Sequence, residues 1–128
     1  MKETMITVLK VAPMLPPEVV TLKNELRALQ EAVSIGADYT GLIEVVGLED
    51  DVCILCNEEG KLIGLEPNRR LGRDVLCGVF YVMGQDEEGN FCSLSASAME
   101  RYRQVFLWPE LIPAEEVNET LAPRVWFL

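Results

Sequence analysis

The chain has 128 residues, 49% of them hydrophobic, and its 21 acidic and 11 basic side chains give a formal net charge of -10 with no histidine. This length suits one domain with a real core, and the apolar runs fall far short of the roughly 20 residues of a membrane span. The negative charge argues against nucleic acid as a ligand, because phosphate binding depends on Lys and Arg displacing counterions.

The N-terminal part of the chain predicts a β-hairpin. Residues 5–11 are rich in β-branched side chains and end at Ala12-Pro13, which is typical of a strand. A proline-rich loop follows, and residues 18–22 suit a short second strand that pairs back on the first. We find no charged-then-apolar leader before the first strand, so we expect a cytoplasmic protein.

Residues 24–36 predict a helix. Asn24 is a suitable N-cap, Glu25 favours the positive end of the helix dipole, and Gly36 ends the segment. Spacings of three and four give one apolar stripe, formed by Leu26, Leu29 and Val33. We expect this helix to cover a sheet.

The next segments predict a meander of antiparallel strands. Residues 42–46 and 52–56 are apolar runs separated by an acidic turn. Asn57-Glu58-Glu59-Gly60 has the composition of a hairpin turn, with glycine where a positive φ is needed. Residues 61–65 should therefore pair back on residues 52–56, and residues 66–69 should turn again.

The second half of the domain predicts one strong strand and one helix. Residues 75–83 are the most apolar run and are expected at the centre of the sheet. Residues 86–90 have turn composition. Ser93 or Ser95 can cap a helix that runs to about residue 106, with an inward face formed by Met99, Tyr102, Val105 and Phe106.

These elements predict a single α+β domain over residues 1–107, with a mostly antiparallel sheet of about five or six strands covered by two helices. Residues 108–128 form an apolar extension that includes Trp108 and Trp126. Exposed apolar patches often mark interfaces. The extension should therefore either pack back on the core or dock on a second copy or another protein.

The four cysteines suggest a metal site only weakly. Cys53 and Cys56 have ligand spacing, whereas Cys77 and Cys92 are far apart in the chain. An odd offset of three in a strand places side chains on opposite faces, so the first two should not share an ion. We predict no metal and no cofactor, and we interpret the cysteines as buried thiols in a reducing compartment.

Catalysis is not predicted by any pattern in the chain. The serines have no histidine to activate them, and a Cys and His pair cannot form. Paired carboxylates are plentiful but fall in predicted turns. Their convergence on a glycosidase-type or metal-carboxylate site is the remaining alternative, and we predict a non-catalytic protein.

Several segments carry a resemblance to a known family. Its most specific part is Asn57-Glu58-Glu59-Gly60-Lys61 together with Pro67-Asn68-Arg69, and it extends over residues 5–106 through Gly78-Val79-Phe80. On these residues the chain resembles an uncharacterised family of small domains carried on plasmids, conjugative elements and phages of Firmicutes. The resemblance implies a mobile element in a hostile host, without an assigned activity. The long C-terminal extension departs from the family pattern.

The same segment holds a candidate ligand site. Asn57 and Asn68 are common turn residues, so architecture alone accounts for them. The functional alternative is an anion-binding rim in which arginines gather beside the two asparagines, because the guanidinium fork suits carboxylate or phosphate. The predicted ligand-binding residues are Asn57, Lys61, Asn68 and Arg69, and the arginines of the rim would be Arg69, Arg70 and Arg73.

Acidic residues gather in predicted turns. Such charge commonly serves solubility, but clustered carboxylates can also imitate a phosphate backbone or pair with a basic patch on a partner. The predicted partner-binding residues are Asp50, Asp51, Glu58, Glu59, Asp86, Glu87, Glu88, Trp108 and Trp126.

The resemblance and the charge together suggest a function. We expect a mobile-element protein that binds and inhibits a host defence nuclease, such as a restriction or CRISPR effector, through its acidic turns. Its partner would be a host protein, without direct contact to nucleic acid or membrane. The alternative is a small-ligand module that captures a nucleotide or other anion near Asn57, Asn68 and Arg69. A third hypothesis is a homodimer formed through the C-terminal extension.

Overall fold

A computed structural model describes the backbone of residues 4–126 and the side chains of residues 4–121. The strands are β1 (Met5–Val11), β2 (Glu18–Lys23), β3 (Ile43–Glu49), β4 (Val52–Asn57), β5 (Pro67–Leu71), β6 (Asp74–Cys77), β7 (Phe80–Gln85) and β8 (Phe91–Cys92). The helices are α1 (Leu26–Ala32), α2 (Ala96–Val105) and α3 (Ala114–Trp126).

One antiparallel sheet organises the molecule. Its strand order is β2-β1-β7-β4-β3, and β8 pairs with the last residues of β7. Strands β5 and β6 form a separate antiparallel hairpin. Strand β7 lies between β1 and β4, so the central place predicted for the apolar run of residues 75–83 is confirmed for its second part, whereas residues 75–77 belong to β6 in the separate hairpin. The predicted α+β class with a mostly antiparallel sheet is also confirmed, and a third helix is added to the two expected.

Both faces of the central strands are buried. Because side chains of a strand alternate between its two faces, each face contributes to a different cluster. On one face, Leu9, Ile54 and Val82 belong to a cluster that includes residues of α2. On the other face, Val8, Leu55 and Tyr81 belong to a cluster that includes residues of α1. The hydroxyl of Tyr81 donates to the carbonyl of Ala32 at 3.0 Å, which joins the central strand to α1.

The start of α1 differs from the prediction. The helix begins at Leu26 after Glu25, and its N-cap makes no side-chain hydrogen bond. Asn24 is instead buried, and its amide donates to the carbonyl of Phe91 at 3.0 Å. The predicted Asn24 cap is therefore wrong, because this side chain holds β8 rather than the helix. Leu29 and Val33 face the core as expected, whereas Leu26 is exposed.

The α2 helix follows the prediction closely. Ser95 is its N-cap, and the Ser95 hydroxyl accepts a hydrogen bond from the amide of Ala98 at 3.2 Å. Phe106 is buried and packs edge to face on Phe80, with ring centroids 5.1 Å apart. The inward position predicted for Val105 is wrong, because this side chain is exposed and Ala98 lies in the core instead.

The hairpin predicted from the turn composition of residues 57–60 is wrong. Residues 58–64 form successive turns, and β4 pairs with β3 and β7 instead of with residues 61–65. Gly60 does not adopt a positive φ. A Cβ atom at this position would lie 2.6 Å from the carbonyl oxygen of Cys77, so the glycine permits a close approach of two backbones.

The following segment also differs from the prediction. Residues 67–71, expected in part as a turn, form strand β5, which pairs with β6. The apolar run of residues 75–83 is interrupted at Gly78, whose φ is +86°. A Cβ atom there would lie 2.7 Å from Cδ1 of Leu65. The run is therefore divided into β6 and β7.

The C-terminal extension has both inward and outward residues. Ile112 and Val117 pack with Leu65, Val75 and Cys77 in a small third cluster beside the β5–β6 hairpin. Trp108 and Leu111 are exposed. The extension thus covers part of the core and also leaves large apolar side chains on the surface.

Candidate functional site

Two adjacent polar residues of β5, Asn68 and Arg69, are completely buried. The amide of Asn68 donates to the carbonyl of Val11 at 2.9 Å and to that of Gly78 at 2.8 Å. These two carbonyls lie at the end of β1 and just before β7. Asn68 therefore holds β5 to the neighbouring sheet through two backbone carbonyls.

Arg69 joins two further segments, the β1–β2 loop and the end of α2. Its Nη2 donates to the carbonyls of Leu15 at 2.7 Å and Phe106 at 2.9 Å, and its Nε donates to Phe106 at 3.2 Å. Its Nη1 donates to Oδ1 of Asn68 at 2.8 Å. Burial lowers the pKa of the Arg69 guanidinium from its ordinary value, and these oxygens compensate for the lost hydration. The side chain thereby holds the β1–β2 loop against the end of α2.

This arrangement contradicts the predicted anion-binding rim. Asn68 and Arg69 have no exposed surface, and their donors are taken by oxygens of the protein. Neighbouring residues of a strand also point to opposite faces. Arg70 accordingly points outward, where it binds Glu110 and Glu116. The prediction that Asn68 and Arg69 bind a ligand is therefore wrong.

Asn57 and Lys61 line a small cavity. The Oδ1 of Asn57 accepts a hydrogen bond from the amide of Glu59 at 2.9 Å, and Lys61 forms an ion pair with Asp74. The cavity has a volume of about 40 Å³. It can hold a water molecule but not a nucleotide, since ligand pockets usually measure about 300–1,000 Å³.

A wider groove lies between the β5–β6 hairpin and α3. Lys61 and Arg73 line one part of it, and the carboxylates facing it are those of Asp74, Glu115, Glu116 and Glu119. An anionic ligand would meet more negative than positive side chains there. The arginines predicted to gather at one rim are thus distributed over the interior, the α3 contact and this groove.

Two of the predicted acidic turns are neighbours in the structure. Asp50 and Asp51 connect β3 to β4, and residues 86–90 connect β7 to β8. Because β4 and β7 are antiparallel neighbours, these turns lie side by side, and the amide of Gln85 donates to the carbonyl of Asp51 at 3.0 Å. The five exposed carboxylates of the two turns, which we call the acidic end, belong to Asp50, Asp51, Asp86, Glu87 and Glu88.

One member of the acidic end has a structural role. The Oδ1 of Asp86 accepts hydrogen bonds from the amides of Glu88 and Asn90, each at 2.9 Å. The bond from Asn90 is the main reason that the pKa of Asp86 is lowered. Among the residues with described side chains, the other four carboxylates take part in no ion pair. Their charge is available to a partner.

Glu49, beside these turns, is already engaged. Its carboxylate accepts hydrogen bonds from the Tyr102 hydroxyl and from Nη1 of Arg101 at 2.7 Å. The Tyr102 bond first, and then the Arg101 bond, lower the pKa of Glu49. This contact fixes α2 to the end of β3, and it was not predicted from the sequence. Arg101 and Tyr102 lie 52 and 53 residues from Glu49 in the chain, so no local pattern indicated this contact.

The remaining predicted partner residues lie elsewhere. Glu58 and Glu59 follow β4 and are exposed at the other end of the sheet. Trp108 is exposed beyond α2, and the side chain of Trp126 lies outside the described residues. The predicted set therefore does not form one surface, and only the two turns of the acidic end are brought together.

Three of the four cysteines, Cys53, Cys56 and Cys77, are buried as predicted, whereas Cys92 is only partly buried. Cys53 and Cys56 belong to the clusters on opposite faces of the sheet. Burial raises the pKa of Cys53 to about 11 and that of Cys56 to about 12, so both thiols are protonated at neutral pH. No group of three or more metal-ligating side chains is found within the described part of the chain.

The fold and its surface define a small α+β protein with one antiparallel sheet between helices and an acidic end. The chain belongs to the family described as Domain of unknown function (DUF3846), whose model matches residues 6–107. This match ends where the C-terminal extension begins. No curated protein and no solved structure matches the chain significantly. None of the helices described for this chain has the length and apolar character needed to cross a membrane.

Proposed function

We propose that this protein is a non-catalytic inhibitor, encoded by a mobile element, that binds the basic surface of a host defence nuclease through its acidic end. The adjacent placement of the two turns by β4 and β7 carries this proposal. Neighbouring strands lie about 4.7–4.9 Å apart, so the turns place several negative charges within a short distance. A surface that binds phosphates would attract such a cluster.

The net charge of -10 supports the same function. Long-range attraction accelerates the encounter of an acidic protein with a basic partner, and it weakens as salt is added. The acidic end concentrates part of this charge in one place, so it directs the attraction to one surface of the protein. We propose no ligand-binding function at Asn57, Asn68 and Arg69, because the latter two are buried and the cavity beside Asn57 is small.

The partner must first be identified by pull-down of the tagged protein from a Firmicute lysate, followed by mass spectrometry. Binding and nuclease inhibition are then compared for two variants. The first replaces Asp50, Asp51, Glu87 and Glu88 with lysine, and it keeps Asp86 because that side chain holds the turn. We expect this variant to lose inhibition and most of the salt dependence of binding, while its circular dichroism spectrum stays unchanged.

A matched control changes the net charge equally at other exposed carboxylates, by replacing Glu18, Asp38, Glu66 and Glu119 with lysine. It should keep most of the inhibition, because the acidic end remains intact. Equal loss in both variants would mean that only the total charge matters. Full inhibition by the first variant would exclude the acidic end as the contact surface.

A further inference from the structure

A cavity lies between the β1–β2 loop, the end of α1 and the segments that precede β5 and β7. Its volume is about 470 Å³, which falls within the roughly 300–1,000 Å³ usual for small-molecule sites. Leu65 and Val79 are its buried lining residues, whereas Leu15 and Ile35 line it with 57% and 55% of their surface exposed. Most of its lining residues are apolar or glycine, and we call it the apolar cavity.

Three of the lining residues are glycines with a positive φ. Gly36, Gly64 and Gly78 have φ values of +88°, +75° and +86°, a conformation that other residues rarely adopt. A Cβ atom at Gly64 would meet no heavy atom within 4 Å outside the adjoining residues. The space beside this glycine is therefore open to a ligand.

The buried polar pair of β5 holds the walls of the apolar cavity in place. The amide of Asn68 donates to the carbonyl of Gly78 at 2.8 Å. Nη2 of Arg69 donates to the carbonyl of Leu15 at 2.7 Å. The amide of Gly78 donates to the carbonyl of Glu66, also at 2.7 Å. Walls that are already fixed lose little freedom when a ligand binds.

A lysine without an ion pair lines the apolar cavity. Lys10 lies opposite Tyr81 in the sheet, and paired residues share a face. Because Tyr81 belongs to the cluster beside α1, Lys10 is on the same face, where it is half-buried. Among the residues with described side chains it forms no ion pair, although Glu18 lies opposite it on β2. Its ammonium group has three donors that are available to a ligand.

The charges around the apolar cavity favour a ligand with a single negative charge. Glu66 also lines the cavity, but it is exposed and solvent screens its charge. The cost of moving an ion out of water rises with the square of its charge, whereas its attraction to one ammonium group rises only in proportion. A carboxylate therefore suits this surrounding better than a phosphate dianion.

We propose that the apolar cavity binds a small carboxylate with an apolar body, such as an aliphatic or aromatic acid. The ammonium of Lys10 donates to the carboxylate, and the apolar body covers Leu65 and Val79. The ligand excludes water from the half-buried ammonium, and this strengthens the ion pair. No residue of the acidic end lines the cavity, so this site and the proposed inhibitor function can fail independently.

The test is a titration of octanoate into the isotope-labelled full chain, followed by nuclear magnetic resonance of the glycine amides. The signals of Gly36, Gly64 and Gly78 should shift until they saturate, whereas those of Gly47 and Gly89, outside the cavity, should not. Octanol has the same chain without the charge. It should bind at least about tenfold more weakly, because it forms no ion pair with Lys10. Octyl phosphate should also bind more weakly than octanoate.

Two variants and their matched controls locate the contacts. Lys10→Met removes the ammonium, and Lys23→Met makes the same change at an exposed lysine of β2. Ile35→Glu places a charge on the cavity wall, and Leu26→Glu does so at an equally exposed position of α1. The dissociation constant of octanoate should rise at least about tenfold in the first variant of each pair. The controls should bind like wild type, and circular dichroism verifies that all four are folded.

Several outcomes would overturn the proposal. The first is the absence of a saturable shift at the three cavity glycines, and the second is equal binding of octanol and octanoate. Tighter binding of octyl phosphate would contradict the preference for a carboxylate. Equal affinity of wild type and Lys10→Met would show that the carboxylate binds elsewhere. Because Ile35 is exposed, its variant still tests the site if Lys10→Met does not fold.

Discussion

At the scale of single residues, three asparagines and one arginine form hydrogen bonds with backbone groups inside the protein. Asn24 and Asn68 donate to backbone carbonyls of distant elements, and Asn57 accepts from the amide of Glu59. Arg69 is the largest of these residues, and it binds carbonyl oxygens instead of a carboxylate partner. Buried polar groups that are fully paired fix one arrangement of the surrounding segments.

Arg69 provides the sharpest test of this role. Replacement by methionine keeps an unbranched stem but removes every donor, so the buried carbonyl of Phe106 and the part-buried carbonyl of Leu15 lose these partners. We expect the free energy of unfolding to fall by about 3 kcal/mol or more, since each buried unpaired group costs roughly 1–3 kcal/mol. Urea denaturation followed by circular dichroism measures the change.

Two further variants show whether the charge of Arg69 or its set of hydrogen bonds stabilises the protein. Arg69→Lys keeps the charge but cannot reproduce the forked geometry, so it should destabilise the protein nearly as much. Arg73→Met removes an exposed arginine of the same hairpin and should have little effect. If Arg69→Lys were as stable as wild type, the charge and not the set of hydrogen bonds would explain the buried position.

At the scale of elements, regular segments could be predicted and the segment between β4 and β6 could not. The β-branched composition of β1, the apolar run of β4 and the Ser95 cap of α2 are local signals, and the structure follows them. Residues 58–71 have the composition of turns. However, Gly60 permits a close approach to the backbone of Cys77, and the amide of Asn68 donates to the carbonyl of Gly78. Because those contacts depend on tertiary packing, the local pattern could not identify them.

The α3 helix is attached to the domain by few described contacts. Val117 packs beside the β5–β6 hairpin, and Arg70 binds Glu116 through Nε at 2.6 Å and Nη2 at 2.7 Å. The same arginine binds Glu110 in the segment before the helix. This two-pronged ion pair, next to a small apolar cluster, is a main attachment of α3.

The pH dependence of α3 should follow Glu116. The hydrogen bonds from Arg70 are the largest cause that lowers the pKa of Glu116 from 4.5. A carboxyl with a depressed folded pKa stabilises the folded state above its unfolded pKa, and this contribution disappears as the pH falls through the folded value. We therefore expect the α3 attachment to be complete at neutral pH and to weaken below about pH 4.

The measurement is amide hydrogen exchange of α3 peptides by mass spectrometry, with wild type and Glu116→Gln compared at each pH. Exchange in the variant should be faster at neutral pH, and the difference should close as the pH falls. Glu119→Gln serves as a control on the same helix, because Glu119 is exposed and has no ion pair among the described residues. A difference independent of pH would show that Glu116 acts through packing.

At the scale of the whole molecule, the acidic residues could be identified from the sequence but their arrangement could not. The turns containing Asp51 and Asp86 are separated in the chain and meet only because β4 and β7 are neighbours in the sheet. Glu58 and Glu59 have the same composition but follow the other end of β4. Strand order is a long-range property, so the pattern of charges alone could not separate these two groups.

The boundary between domain and extension yields the last prediction. The two large clusters of the core include Phe106 but no described residue beyond it, and the family match ends at residue 107. A chain that ends after Leu107 should therefore still unfold cooperatively. Its midpoint should be lower, because Val75 and Cys77 lose the cover of Val117, and it should bind more of a dye that reports exposed apolar surface.

A chain that ends only two residues earlier, after Val105, provides the matched comparison. It also loses the Phe106 ring against Phe80 and the carbonyl that accepts from Nε and Nη2 of Arg69. Loss of a buried phenylalanine side chain costs about 3–5 kcal/mol, a large part of the roughly 5–15 kcal/mol that stabilises a typical domain. Thermal denaturation should show a cooperative transition for the longer chain and little or none for the shorter one. Failure of the longer chain to fold would instead make the extension part of the domain core.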